Sequence, residues 1–302
     1  MRFYTHPACL RHDTGLGHPE SPARLRAVLE ALDDPRFAGI GRMEAPRATR
    51  EQLLRAHDVS YVDGIFANAG QSLRLDPDTV MSPGSLEAAL RAAGAVCAAV
   101  DAVMNGETTR AFCAVRPPGH HATRDTAMGF CIFNSIAVAA AHAMEQHGLK
   151  RVTIIDFDVH HGNGTQDIYW NEPRVQYLSS HQMPLYPGTG SRNERGAGNI
   201  VNAPLSPDAG SREFRAAWEE ILLPALEAHR PQLLLISAGF DAHRNDPLAQ
   251  LQLDTDDYAW ITQRLCALAD THAQGRMVSA LEGGYDLGAL RECTDAHVAA
   301  MI

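Results

Sequence analysis

The sequence predicts one α/β domain built on a mostly parallel sheet with helices on both faces, and three observations carry that prediction. Short β-branched or apolar runs alternate with longer stretches of helical pattern along the chain, as in βαβ units joined by right-handed crossovers. Some of the short runs, Leu233–Ser237 among them, are apolar throughout, as expected of strands covered on both sides. No linker, low-complexity tract or long-period repeat interrupts the pattern, so residues 1–302 read as a single domain.

The elements follow in order. Arg2–Thr5 is a short apolar run and the first strand, and Pro22–Leu32 carries the first helical pattern. Leu86–Met104 is a long, alanine-rich helix that leads into the strand Ala111–Val115. Ser135–His147 is helical, and Val152–Phe157 and Val175–Ser179 are β-branched strands. Arg212–His229 is a helix ahead of the strand Leu233–Ser237, and the helix Thr255–Ala273 precedes the strand Met277–Leu281. Leu287–Ala300 closes the pattern as a helix.

Composition narrows the function. Hydrophobic residues at 45% and charged residues at 21% exclude disorder, collagen-like repeats and coiled coil as the main state. A chain of 302 residues buries a core without disulfides or a structural metal, so a bound metal is expected to serve chemistry. The formal charge of −10, with no Lys/Arg block to offset it, argues against direct nucleic-acid binding. The six cysteines form no CxxC, which excludes a zinc ribbon or thioredoxin-like motif; their low density suggests reduced thiols and a cytoplasmic home. The stretch MRFYTHPACLRHD lacks the apolar core of a signal peptide, and no apolar run reaches the ~18 residues of a membrane span, so no membrane role is expected.

Four polar, glycine-rich segments each follow a predicted strand: RPPGHHA (116–122), DVHHGNG (158–164), SAGFDAH (237–243) and EGGYD (282–286). In open α/β sheets ligands bind beyond the carboxyl ends of the strands, so these four segments are expected to share one pocket.

The residue types then suggest the chemistry. On an extended chain Asp156, Asp158 and His160 point to one side. Asp241 supplies a third ligand beside Asp158 and His160. Two carboxylates and one imidazole leave an open coordination position, and the mixed N/O set suits Zn²⁺ or Fe²⁺ better than Ca²⁺ or Mg²⁺. His120 and His121, held by Pro117, Pro118 and Gly119, have the pKa range of a general base and acid. Each ring needs an orienting partner, with Asp156 and Asn163 as candidates. Tyr285, after two glycines, is placed to donate to an oxyanion without adding charge, although a tyrosine after a strand is also an ordinary packing residue. Together these parts describe metal-assisted hydrolysis of an unactivated carbonyl.

RPPGHHA, GFCIFN (129–134), DFDVHHGNGTQ (156–166), YPGTG (186–190), SAGFDAH and LEGGYD (281–286) resemble the histone deacetylase superfamily, with HPESPARL (18–25) and LDPDTVMSPG (75–84) fitting as well. The wording of DVHHGNGTQ and LEGGY is similar to the class II branch and its bacterial relatives. The resemblance implies an arginase-like fold with a central eight-stranded parallel sheet. It implies one Zn²⁺ per chain on Asp158, His160 and Asp241, His121 as the general base and acid, and Tyr285 as the group that polarises the carbonyl. It further implies an apolar tunnel walled by Gly129, Phe130 and Tyr186, with Asp78 at the rim holding substrate backbone. Structural K⁺ is implied on main-chain oxygens of Asp156, Asp158 and His160 and on Ser179. Arg24 either lines an acetate exit or is an ordinary helix-surface residue. Relatives of this kind form dimers or tetramers, so a homo-oligomer is a further expectation.

Two departures bear on selectivity and basicity. Asn163 stands where class I members carry Asp, which makes His121 less basic, since a neutral amide stabilises imidazolium less than a carboxylate does. Leu248 follows Asp246-Pro247, where the polyamine-selective branch carries a glutamate. The leading expectation is therefore zinc-dependent hydrolysis of ε-N-acetyl-lysine in proteins or peptides. An acetylpolyamine or other small acetyl-amide substrate is the alternative. A ureohydrolase would need carboxylates where His161 and Asn163 stand, and a silent acyl-lysine binder would lack Tyr285 or a metal ligand.

Overall fold

The computed structural model describes all residues, Met1–Ile302. Ten strands form: β1 (Arg2–Thr5), β2 (Gly41–Glu44), β3 (Leu73–Arg74), β4 (Val80–Met81), β5 (Arg110–Cys113), β6 (Val152–Asp156), β7 (Val175–Gln182), β8 (Ile200–Leu205), β9 (Leu233–Ala238) and β10 (Met277–Leu281). Eight of them make one sheet in the order β2-β1-β5-β10-β9-β6-β7-β8, and β3 and β4 pair as a small antiparallel ribbon. Every pairing in the large sheet is parallel. The helices are α1 (Pro22–Leu32), α2 (Arg50–Leu54), α3 (Val59–Ala67), α4 (Ser85–Met104), α5 (Ser135–His147), α6 (Asn163–Tyr169), α7 (Ser211–Ala217), α8 (Leu223–His229), α9 (Thr255–His272) and α10 (Leu287–Met301).

Residues of β6, β7, β9 and β10 are buried along their whole length, so both faces of the central sheet are covered. On one side α4 and α5 pack on each other and reach β1, β5, β10, β6 and β9; α1, α9 and α10 form a second packed group. Val152, Ile154, Ile155, Leu233–Ile236 and Val278 lie in a core cluster of 83 buried residues. At ~25 cal/mol per Å² of apolar surface, a core of this extent stabilises the domain without disulfides, and all six cysteines are free and buried.

This order decides where the site lies. From β5 the chain crosses to β6, runs outward through β7 and β8, then returns to lay β9 and β10 into the gap between β6 and β5. The carboxyl ends of β5, β10, β9 and β6 are thus consecutive neighbours. Asp156 of β6 stands in register with Ser237 of β9, and Ala280 of β10 with both Ser237 and Cys113.

Several elements differ from the sequence expectation. The strand expected over 111–115 runs over Arg110–Cys113; Ala114 still donates to Tyr4, and Pro117 and Pro118, which have no N–H, then take the chain out of the sheet. The helix expected over 212–229 is interrupted by a π-helical turn at Trp218–Leu222. Pro224 lies just beyond that turn, and the wider turn accommodates its ring and missing donor. Strands β2 (GRME) and β8 (IVNAPL), the two edge strands, are not among those expected: β2 has no apolar run and β8 has its apolar residues interrupted by Asn202 and Pro204. Every residue of β2 is exposed, and β8 includes Pro204, which a sheet tolerates only at its edge.

Candidate active site

Asp156 is the last residue of β6, and beyond it the chain is not extended. It folds into a tight loop in which the Asp156 carboxylate accepts from the Asp158 amide (3.2 Å) and the Asp158 carboxylate from the His160 amide (2.9 Å). The alternation expected for 156, 158 and 160 is therefore replaced by side-chain-to-backbone turns, which still bring Asp158 and His160 together. His160 Nδ1 lies 3.1 Å from Asp158 Oδ1 and 3.2 Å from Asp241 Oδ2. One ligand atom from each of the three lies within 4.8 Å of the others, and all three residues are buried. The Gly283 amide (2.8 Å) and the Val159 amide (2.9 Å) hold the outer oxygens of Asp158 and Asp241.

The donor set fits a divalent cation. Burial opposes charge on His160, yet hydrogen bonds to Asp158 and Asp241 outweigh it and raise its pKa to about 10, so the two carboxylates draw positive charge to this point. The cradle is also built to size. A Cβ on Gly283 would fall 2.0 Å from Asp241 Oδ2 and 2.6 Å from Asp158 Oδ2, so only glycine allows the carboxylates to converge there.

His120 and His121 arrive from the β5 side with ring centroids 4.0 Å apart. His120 Nδ1 meets Asp156 Oδ2 at 3.0 Å, and His121 Nδ1 meets Asn163 Oδ1 at 2.8 Å. The Asn163 amide nitrogen faces Met128 Sδ (3.3 Å) and the His121 carbonyl (3.4 Å), which places its oxygen toward the imidazole and the proton on Nδ1. The two rings are driven apart in basicity. For His120 burial disfavours charge, but Asp156 and Asp158 overcome it and hold the pKa well above the ordinary value. For His121 burial acts in concert with the neighbouring His120 and His160 and pushes it well below.

The Asp158–His160–Asp241 cluster opens, through His160, into a cavity of about 230 Å³ lined by Asp78, His121, Gly129, Phe130, His160, Leu185, Tyr186, Leu248 and Tyr285. Gly129, Phe130 and Tyr186, expected to wall a tunnel, Asp78, expected at its rim, and Leu248, the residue that follows Asp246-Pro247, are all among its walls. Phe130 has a positive φ of 68°, and its amide donates to Thr79 Oγ1 at 3.0 Å, which fixes the ring in the wall. Gly129 is needed beside it, because a Cβ there would sit 2.4 Å from His121 Cδ2. His18 packs edge-on to Phe130 with ring centroids at 4.8 Å, and Tyr285 does so at 5.9 Å. Tyr186 is 39% exposed and marks the mouth.

Ser179 of β7 is buried, in register with Asp156, and its hydroxyl pairs with His181 Nδ1 at 2.9 Å. Arg24 is not a helix-surface residue: it is fully buried, it donates to the Gly284 carbonyl at 2.6 Å and to the Glu282 carbonyl, and its guanidinium lies 4.8 Å from the Tyr285 ring centroid.

Sequence reasoning assigned no role to Glu282 or Tyr177. Glu282 accepts from the Gly119 (2.6 Å) and His120 (3.2 Å) amides and from Ser237 Oγ (3.2 Å); burial raises its pKa to about 7. Tyr177 donates to Asp156 at 2.9 Å and so steadies the carboxylate that orients His120. An acidic residue ahead of two glycines at a strand end is the signal for Glu282; a tyrosine inside an apolar strand carries none. Asp101, His142 and His147 also converge, with both imidazole Nε2 atoms 2.7–2.8 Å from Asp101 Oδ1. There Arg55 donates to His142 Nδ1 at 2.9 Å, which fixes the proton on the nitrogen facing Asp101 and accounts for the cluster by hydrogen bonding.

The comparisons with known proteins agree with this geometry. A family model described as histone deacetylase domain matches residues 18–301. The chain is 44% identical over 277 residues to a histone deacetylase-like amidohydrolase of Pseudomonas aeruginosa, covering 89% of this chain and 73% of that protein. It is 38% identical over 304 residues to a probable deacetylase of Archaeoglobus fulgidus, covering 98% and 84%. The solved crystal structure of the HDA15 HD domain superposes with a TM-score of 0.94 at 33% identity, covering 100% of this chain and 90% of that one.

Proposed function

The chain belongs to the histone deacetylase family, and on that premise we propose that it hydrolyses the amide of ε-N-acetyl-lysine in a protein or peptide, giving lysine and acetate. The observation that carries the reading is the convergence of Asp158, His160 and Asp241 at the foot of a narrow cavity whose walls are Gly129, Phe130, Tyr186 and Leu248. Those three residues would hold one Zn²⁺. When bound, the ion supplies Lewis acidity toward the amide carbonyl and lowers the pKa of water.

The chain's own groups supply the rest. The aromatic walls offer stacking surface to the lysine methylenes and exclude water around them. Tyr285 donates to the carbonyl oxygen as it gains charge. His121 carries its proton on Nδ1 and is kept neutral by burial and by its two histidine neighbours, so its Nε2 accepts the proton of the attacking water and passes it to the departing amine. His120, paired with Asp156, stays cationic and stabilises negative charge beside it. The main-chain oxygens of Asp156, Asp158 and His160, with Ser179, are proposed to hold K⁺; the carbonyl oxygens of Asp158 and His160 accept no main-chain hydrogen bond in this buried loop. A cytoplasmic location is proposed on the six unpaired cysteines.

An acetylpolyamine is the second reading, and Asp78 in the cavity wall favours it by offering a carboxylate to a cation. Against it, burial and the neighbouring Asp76 raise the Asp78 pKa, and Leu248 adds no charge to the cavity wall. The test is a turnover panel of acetyl-lysine peptide, longer acyl-lysine peptides, acetylspermidine and acetylputrescine. We expect the highest kcat/KM on an acyl-lysine peptide. A large preference for acetylspermidine would transfer the assignment to the second reading.

A further inference from the structure

The Gly284–Tyr285 peptide follows Gly283 and precedes α10, in a stretch with no regular structure. Its carbonyl accepts from Arg24 Nε at 2.6 Å. Its N–H donates to Asp246 Oδ2 at 2.7 Å. One peptide plane is thus gripped at both ends by buried polar side chains that come from other parts of the chain. Asp246 is 7% exposed, and its second oxygen accepts from the Leu248 amide at 3.0 Å, so one carboxylate bridges two walls of the cavity. The Asp286 amide adds a longer contact at 3.4 Å to the oxygen that holds Tyr285.

We propose that Asp246 is a positioning residue: its carboxylate clamps the Tyr285 backbone and ties it to Leu248, and so sets where the Tyr285 phenol meets the substrate carbonyl. The proposal rests on the reading of Tyr285 as the oxyanion donor. A carboxylate is required because both oxygens must accept. An amide has one accepting oxygen, and its NH₂ faces one of the two N–H groups, so Asp246→Asn keeps the shape and breaks one arm. A serine keeps a short acceptor for the local turn to Leu248 and cannot reach Tyr285.

The experiment is a double-substitution cycle on the metal-loaded enzyme, with kcat, KM, metal content and melting temperature measured on each preparation. Asp246→Asn and Asp246→Ser are each expected to lower kcat on acetyl-lysine peptide by on the order of ten- to hundredfold, since small misplacements of a catalytic group cost that much. KM and metal content are expected to stay near the parent values. Placed on Tyr285→Phe, the same substitutions should cost less than about twofold further, because the hydroxyl through which Asp246 acts is already gone. An equal fractional loss in both backgrounds, or no loss in the parent, overturns the positioning role. So does failure of both Asp246 variants to fold, which makes the contact purely structural. Full activity of Tyr285→Phe alone sinks the oxyanion reading instead, and the two failures are thereby told apart.

Discussion

Tyr285 is the residue whose proposed role and bland alternative differ most in what they predict. A hydroxyl that binds the carbonyl more strongly as charge develops acts on kcat rather than on KM. Tyr285→Phe keeps the ring against Phe130 and under Arg24 and removes only the donor. We expect kcat to fall ~10²–10³-fold, about 3–4 kcal/mol of transition-state stabilisation, with melting temperature and metal content unchanged. A packing residue predicts near-normal kcat for the same substitution. At this scale the sequence was most legible where chemistry needs particular atoms. Asp158, His160, Asp241, His120 and His121 could be named because few other uses bring such groups to adjacent strand ends. Glu282 and Asp246 could not be assigned roles, because each acts by accepting backbone N–H groups, which depend on where the chain runs rather than on residue type.

At the scale of elements, the interior strands were visible and the edges were not. Strands β6, β9 and β10 are apolar because helices cover both faces, whereas the edge strand β2 is exposed throughout and β8, though largely buried, is interrupted by Asn202 and carries Pro204, so both read as loops. The glycines at strand ends had a meaning that only packing reveals. Gly283 marks the point where β10 releases the chain beside two carboxylates, so its replacement tests the strand end and not just one residue. In Gly283→Ala the new Cβ would displace Asp241 or Asp158. We expect a folded protein with metal affinity reduced roughly ten- to hundredfold, an effect comparable to loss of a supporting contact at a metal site. Competitive chelator titration measures this. Unchanged affinity would mean that the carboxylates do not converge as described.

For the whole molecule, the central link is a buried ionic cluster that joins the amino-terminal segment to the sheet. Glu20 receives Arg116 on both carboxylate oxygens and Arg24 on one, all three residues fully buried, and Arg116 also donates to the Cys9 and His12 carbonyls. Burial alone would raise the Glu20 pKa, but the charge of Arg116 and the His12 imidazole, whose Nε2 lies 3.4 Å from Glu20 Oε2, outweigh it and hold the pKa well below the ordinary carboxylate value. A group depressed in the folded state contributes its full stability above its unfolded pKa and loses it as the pH falls toward the folded one. Unfolding free energy should therefore decline on acidification below about pH 4.5, the ordinary value for this side chain. Glu20→Gln should flatten that decline and lower stability at neutral pH by about 3–5 kcal/mol, because two buried guanidinium groups lose their counter-ion. Denaturant titration across pH on both proteins checks the sign and the size. No helix of the protein is long and apolar enough to cross a membrane.

All three scales meet in the claim that Asp158, His160 and Asp241 hold one divalent metal on which amide hydrolysis depends. The direct measurement is acetate release from an acetyl-lysine peptide, with metal per chain counted on the same sample, before chelation, after chelation and after Zn²⁺ is returned. We predict one equivalent of metal with activity, loss of both on chelation, and recovery of both together. Acetate release that persists in metal-free protein, or none from the fully loaded enzyme on the acetyl-lysine peptide, would contradict the account.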